Sequence, residues 1–336
     1  MHAEIARLGA RTLDGERLGR AELLTLANLS LAHLNDVLYW TSRIRTAVFG
    51  RQVRFCSIIA GKLGGCSEDC KWCAQAAGRM DVRRTSTAQI ASAADQAGKL
   101  GAASFGIVNS GRSPTAEDLD HLTAALAAIA AVDNPPPPVC ASLGELTPNQ
   151  ACRLADAGIR RYNHNLETSD AFFPKVVTTH AYTDRLASIE AARQAGMQIC
   201  CGGLFGMGET WADRIDLALM LRDRVRPDVV PLNFLNPAPG TALASAPQLK
   251  PREALAITAV FRWALPLVDL KIAGGREATL RDMQSWMFHA GATSCIIGNY
   301  LTTEGRDPAQ DLQMVRDLDL QVVRDMRPQR LPHGRD

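Results

Sequence analysis

Short apolar or β-branched runs alternate with longer helical segments along nearly the whole chain, and few folds accept that rhythm. The runs predict strands at Val53–Ala60, Ser104–Asn109, Pro138–Leu143, Ile159–Asn163, Met197–Gly203, Asp228–Phe234, Leu267–Ala273 and Ala292–Asn299. Between them lie segments of helical periodicity such as "TAEDLDHLTAALAAIAAV" and "TDRLASIEAARQAG". Thr115 and Thr183 stand where N-caps belong, and Gly101, Gly158 and Gly196 where helices stop. The "NPPPP" run beginning at Asn134 is a stiff connector that no helix can cross. Strand–helix units repeated without a mid-chain linker predict one α/β (β/α)8 TIM-type barrel, with an open doubly wound sheet as the runner-up. The expected division is a helical N-terminal extension over 1–50, the barrel over 51–320 and a tail over 321–336. Barrels carry their chemistry at the C-terminal ends of the strands.

The densest chemistry falls there. In "GKLGGCSEDCKWCAQ", Cys66, Cys70 and Cys73 are spaced C-x3-C-x2-C in the loop after the first strand, behind the turn-forming Gly64 and Gly65. Structural zinc usually takes two separated thiol pairs, and no second pair exists here. Three thiolates on a cubane leave one iron without a protein ligand, free to bind substrate or cofactor. Zinc with a distant fourth ligand, or three unconnected buried cysteines, are the readings this competes with.

Composition narrows the setting. The 336-residue chain is 46% hydrophobic and 21% charged, with a net charge of +2, so neither a nucleic-acid surface nor a membrane surface is expected. No apolar run approaches the roughly 20 residues of a membrane span, and the N-terminus lacks the core of a signal peptide. A cytoplasmic protein is expected, whose nine cysteines serve metal or redox chemistry and not a disulfide framework.

Two further segments read chemically. Alternate residues of "YNHNLETS" (162–169) turn Asn163, Asn165 and Glu167 to one side and His164 away, into packing. A carboxylate such as Glu167 suits ribose hydroxyls, and asparagine amides suit amide-like or ureido groups. "GGLFGMGE" is glycine-rich but lacks the Lys-Ser/Thr of a phosphate loop.

The triplet, with Trp72 inside it, resembles that of the radical S-adenosylmethionine superfamily. "CSEDCKWCAQ", "YNHNLETS", "CCGGLFGMGET", "PLNFLNPAPGTAL", "AGGRE" and "IIGNYLTTEGR" occur in an order and spacing that resemble the biotin synthase family over residues 50–320. The resemblance implies a [4Fe–4S] cluster on Cys66, Cys70 and Cys73. It also implies S-adenosyl-L-methionine on the open iron, and a 5′-deoxyadenosyl radical that abstracts hydrogen from dethiobiotin. Sulfur then comes from a second iron–sulfur cluster, [2Fe–2S] or another type, deep in the barrel. It implies that Asn165, Glu167 and Arg185 hold S-adenosylmethionine, Arg185 through the methionyl carboxylate. Asn163, Asn233, Thr302 and Thr303 would hold dethiobiotin, and Gly206 and Gly208 would admit the adenine. Implied partners are an electron donor such as flavodoxin or ferredoxin, the iron–sulfur assembly machinery and a second copy in a homodimer.

The chain departs from this pattern where the second cluster belongs. Well-known members use three cysteines and an arginine. Cys140 and Cys200 match two of the cysteines, but Gly106 stands at the third and Lys271 at the arginine, and the nearby Ser104 is often arginine. Cys56 or Cys201 could complete another set, although Cys200 and Cys201 must face opposite ways on a strand. Cys152 and Cys295 read as small buried residues. Besides dethiobiotin sulfurtransferase, two alternatives stand: another radical enzyme on the same barrel (hydrogenase-maturation-like or methylornithine-forming), and a non-catalytic zinc or iron–sulfur protein.

Overall fold

The computed structural model describes residues 1–132 and 136–331. Eight parallel strands close on themselves: β1 (Gln52–Leu63), β2 (Ser104–Asn109), β3 (Val139–Ser142), β4 (Arg161–Asn163), β5 (Gln198–Cys200), β6 (Val229–Phe234), β7 (Asp269–Ile272) and β8 (Ser294–Ile296). Closure comes from β8 pairing with β1, Cys295 opposite Phe55. Every predicted strand is present and the doubly wound alternative is excluded. The strands are mostly shorter than their apolar runs, because the flanking apolar residues turn off the ladder into loops and helix packing. Met197–Gly203 divides: the β5 ladder ends at Cys200, and Gly203–Phe205 resumes pairing with β6. Only β1 outruns its prediction, extended to Leu63 by a two-residue antiparallel pairing with Arg83–Arg84.

Helices α1 (Ala3–Leu13), α2 (Arg20–Ser30) and α3 (Leu34–Phe49) form the N-terminal extension. The barrel helices follow their strands in turn: α4 (Thr87–Lys99), α5 (Ala116–Ala130), α6 (Pro148–Asp156), α7 (Tyr182–Gln194), α8 (Trp211–Met220, with a π-helical turn to Val225), α9 (Pro251–Ala264), α10 (Arg276–Leu280) with α11 (Trp286–His289), and α12 (Pro308–Asp317). Ile5, Leu8, Leu23 and Val37 of the extension are fully buried in the same core as barrel residues Phe55, Phe105 and Leu270. Buried Arg45 of α3 donates to the carbonyls of Gly50, Gln52 and Ala292, tying the extension to the start of β1 and to β8. Trp263 of α9 donates its indole N–H to Thr41 at 2.6 Å. Each bond satisfies a group that would be costly to bury alone. Among the described residues no helix is long and apolar enough to cross a membrane.

Thr115 caps α5 by accepting from the Asp118 amide. Thr183 does not cap α7: Ala181 holds that position, and the Asp184 carboxylate accepts from the Ala181 amide at 3.0 Å. The carboxylate at the third helical position satisfies the N-cap amide, and no side chain takes the capping role expected of the threonine. Gly101, Gly158 and Gly196 follow helix ends with φ of +75°, +99° and +83°. Asn134 and Pro135 lie outside the described residues.

Candidate active site

A cavity of about 510 Å³ opens at the C-terminal ends of the strands, within the size range of small-molecule sites. The triplet loop overhangs it, with Trp72 and Ala74 in its wall. The loop is shaped by backbone: Gly64 and Gly65 take φ of +76° and +66°, and a Cβ on Gly64 would lie 2.2 Å from the Asp81 carbonyl oxygen. Its amides close inward, Cys73 to the Cys70 carbonyl at 3.1 Å and Gly78 to that of Cys66 at 2.8 Å. Glu68 and Asp69, between the cysteines, anchor the loop outward. Asp69 accepts from the Thr178 amide at 2.9 Å, and Glu68 accepts from the Thr179 hydroxyl at 2.6 Å.

From Glu68 a polar chain runs inward. The Arg185 Nε donates to His180 Nε2 at 3.2 Å, so the histidine proton sits on Nδ1, which meets Glu68 Oε2 at 2.6 Å. A terminal nitrogen of Arg185 donates to the Asn165 carbonyl at 2.7 Å and stands 3.9 Å from the Glu167 carboxylate. Arg185 is buried, which excludes a surface helix arginine, yet it stands behind the cavity wall and not on it. Burial pushes the Cys70 thiol up to about 12 against the opposing pull of Arg185. Burial likewise raises Cys73.

Asn163, Asn165 and Glu167 all line the cavity, although the strand ends at Asn163 and the last two are placed by the segment beyond it. His164 is turned into the core and stacks on Tyr162 with ring centroids 6.2 Å apart. Glu167 takes φ +68°, rare for a side-chain-bearing residue, held by a bridge to Gly203. Burial raises its carboxyl pKa, opposed by Arg185 and by a hydrogen bond from Asn165. The Asn163 Oδ1 is buried with no hydrogen-bond partner among the described residues, an acceptor aimed where a ligand N–H would satisfy it. Asn233 also lines the cavity, its amide fixed by Gly203 and Gly274 backbone at 3.1 and 2.9 Å. Thr302 and Thr303 stand in the wall after β8. Gly206 and Gly208 do not line it: at φ +102° and +99° they shape a turn whose Gly206 and Met207 amides donate to Glu209.

The floor is sulfurous and basic. Cys56, Cys140 and Cys200 line it beside Ser104, Gly106, Arg161 and Lys271. Lys271 Nζ lies 3.7 Å from Cys56 Sγ and 3.6 Å from Cys200 Sγ. Burial raises Cys140 to about 11 and also raises Cys200, whereas burial of Cys56 is outweighed by Lys271 and Ser104, which lower it. Cys201 and Cys295 are buried away from the cavity. Cys152, expected to be buried, is exposed on α6, whose inward face is carried by Ala151 and Leu154. Arg161 escaped the sequence reading although it shares strand parity with Asn163. So did Glu68 and His180, whose roles depend on a contact across more than a hundred residues.

Among the described residues no three Cys, His, Asp or Glu side chains close on one point as a single metal ion demands. Neither set of thiols is therefore gathered around a single ion.

The radical SAM superfamily matches residues 62–221, and the Biotin and Thiamin Synthesis associated domain matches residues 231–321. A biotin synthase of Trichlorobacter lovleyi is 44% identical over 327 residues, covering 96% of this chain and 97% of the relative. One of Geobacter sulfurreducens is 43% identical over 323 residues, covering 94% and 96%. Two solved structures share the fold. The [FeFe]-hydrogenase maturase HydG has a TM-score of 0.83 at 14% identity, over 96% of this chain and 76% of the other. Methylornithine synthase has 0.80 at 19%, over 94% and 97%. At such identities they speak for the barrel alone and do not favour the alternative chemistry, whereas the sequence matches do distinguish: the chain belongs to the biotin synthase family of radical S-adenosylmethionine enzymes.

Proposed function

We propose that this chain converts dethiobiotin to biotin by radical-mediated sulfur insertion, with the triplet and the sulfurous floor as two separate iron–sulfur sites facing one cavity. The carrying observation is that one enclosure joins the wall below the triplet, the unpartnered Asn163 acceptor and inward thiols from β3 and β5. When bound, the outer cluster with S-adenosylmethionine supplies the 5′-deoxyadenosyl radical and the inner cluster supplies sulfur.

The protein's own groups bind and orient. Cys66, Cys70 and Cys73 hold the outer cluster. Glu167, held in place by its unusual backbone, takes the ribose hydroxyls, and Asn165 steadies it. Arg185 faces the methionyl carboxylate from beside Cys70, its guanidinium fixed by His180 and the Asn165 carbonyl. Asn163 accepts a ureido N–H of dethiobiotin, Asn233 presents a rigid amide to the same ring, and Thr302 and Thr303 take the carboxylate tail. Cys140 and Cys200 hold the inner cluster beneath the substrate. An electron donor of the flavodoxin or ferredoxin kind, cluster assembly machinery, a homodimer and a cytoplasmic setting complete the reading. So does the division into extension, barrel and tail.

Cys140→Ala and Cys200→Ala are each expected to lose inner iron and the ability to complement a biotin auxotroph, while still forming 5′-deoxyadenosine. Wild type that fails to complement, and holds one cubane's worth of iron, would refute the assignment.

A further inference from the structure

Three thiols face the cavity floor, and Cys140 and Cys200 are two of them. The third, Cys56, rises from β1. It shares strand parity with Ile58, and both line the cavity. Its register partner on β2 is Ser104, whose hydroxyl lies 2.6 Å from its sulfur. The Lys271 ammonium, reaching in from β7, touches both Cys56 and Cys200. Those two sulfurs therefore lie no farther apart than the sum of its two contacts.

The wall between β1 and β3 is open at this level. Gly106 of β2 pairs with Ile58 on one side and Cys140 on the other, and contributes no side chain between them. A Cβ there would press on Ile58 Cγ2 at 3.2 Å. Nothing from Gly106 separates Cys56 from the space in front of Cys140.

The charges point the same way. Lys271 and Arg161 both face this space, and the Arg161 Nε is buried with no hydrogen-bond partner among the described residues. A buried cationic donor without an acceptor is costly. Neutral thiols do not repay that cost, but a cluster of sulfide and thiolates does.

We infer that Cys56, Cys140 and Cys200 are the three protein thiolates of the inner cluster, with Lys271 and Arg161 as unligated counter-charges. The inference rests on the inner thiols holding a cluster at all, and it names the ligand that replaces the missing thiol at Gly106. An ammonium has no lone pair for iron. Cys201 is fully buried outside the cavity wall, and Cys295 lies against Arg276 at 3.7 Å.

The test uses full-length protein reconstituted anaerobically with isotopically enriched iron, read by iron and sulfide content and by Mössbauer spectroscopy. Cys56→Ser is compared with Cys140→Ala and with Cys295→Ala, a buried thiol outside the site. The expected result is that Cys56→Ser either loses inner iron, as Cys140→Ala does, or keeps it with an altered inner-cluster spectrum, while Cys295→Ala matches wild type. A Cys56→Ser protein with wild-type iron and spectrum, alongside a depleted Cys140→Ala, overturns the ligand assignment and leaves the inner cluster standing. Wild type holding only the outer cluster's iron overturns both. If Cys56→Ser does not fold, alkylation of wild type decides: Cys56 should become reactive only once inner iron is chelated away, and equal reactivity before and after overturns the inference.

Discussion

The triplet and the floor are both sets of three thiols, but they are built in opposite ways. Cys66, Cys70 and Cys73 lie within one loop, and their arrangement is local: two left-handed glycines, amides folded onto nearby carbonyls, and the Glu68 and Asp69 anchors. Cys56, Cys140 and Cys200 lie on three strands, and only barrel closure brings them to one space. A loop site can move with what it binds. A site on paired strands is set by register, and moving one ligand means moving the sheet. That difference suits the proposed division of labour, in which the outer group receives an exchangeable cofactor and the inner one holds sulfur at a fixed distance from the substrate.

Removing the outer set should have the largest effect. Replacing Cys66, Cys70 and Cys73 together with alanine is expected to remove one cubane's worth of iron and to abolish 5′-deoxyadenosine formation. The fold should survive, because the loop lies above the barrel mouth and contributes one buried thiol, Cys70, to the core. Measured S-adenosylmethionine cleavage by the triple variant would erase the functional distinction between the two sets.

Arg185 comes next, because it belongs to the outer set's surroundings without being a ligand. If it faces the methionyl carboxylate, Arg185→Ala should weaken S-adenosylmethionine binding by about 2–5 kcal/mol, the cost of removing one partner of a shielded charge pair. That corresponds to roughly 30-fold or more in Kd by titration calorimetry. Its position behind the wall makes the experiment sharp: an unchanged Kd would leave Arg185 as a positioning residue for Glu167 and His180 only.

The same contrast explains what could be read from the sequence. The triplet is contiguous, so its spacing alone declares it, and the strands are periodic, so the barrel was legible with errors only at element ends. Cys140 and Cys200 became visible through resemblance. Cys56 was named from the sequence only as one of two candidates beside Cys201, because nothing local separates them: the choice depends on Ser104, Lys271 and the empty space at Gly106, each from another strand. Arg161 is similar, a charged residue at a strand start whose environment is a property of the closed barrel. Glu68 and His180 were hidden because they are polar loop residues until the fold joins them to Arg185 of α7. Strand parity did separate Cys200 from Cys201 in advance, and the cavity wall agrees.

That last pair gives the smallest effect and the finest test of the comparison. Cys200 and Cys201 are neighbours in sequence and both buried, but only Cys200 lines the cavity. Burial raises the Cys201 thiol pKa strongly, as suits a side chain packed as a small apolar group. Cys201→Ala should therefore cost about 1 kcal/mol of stability through lost packing. Iron content, sulfide content and the inner-cluster spectrum should stay at wild-type values. Denaturant unfolding and metal analysis of the same sample would measure both. Loss of inner iron in Cys201→Ala, with stability little changed, would mean that the strand turns locally to offer both thiols. The inner set would then have been assigned one residue short.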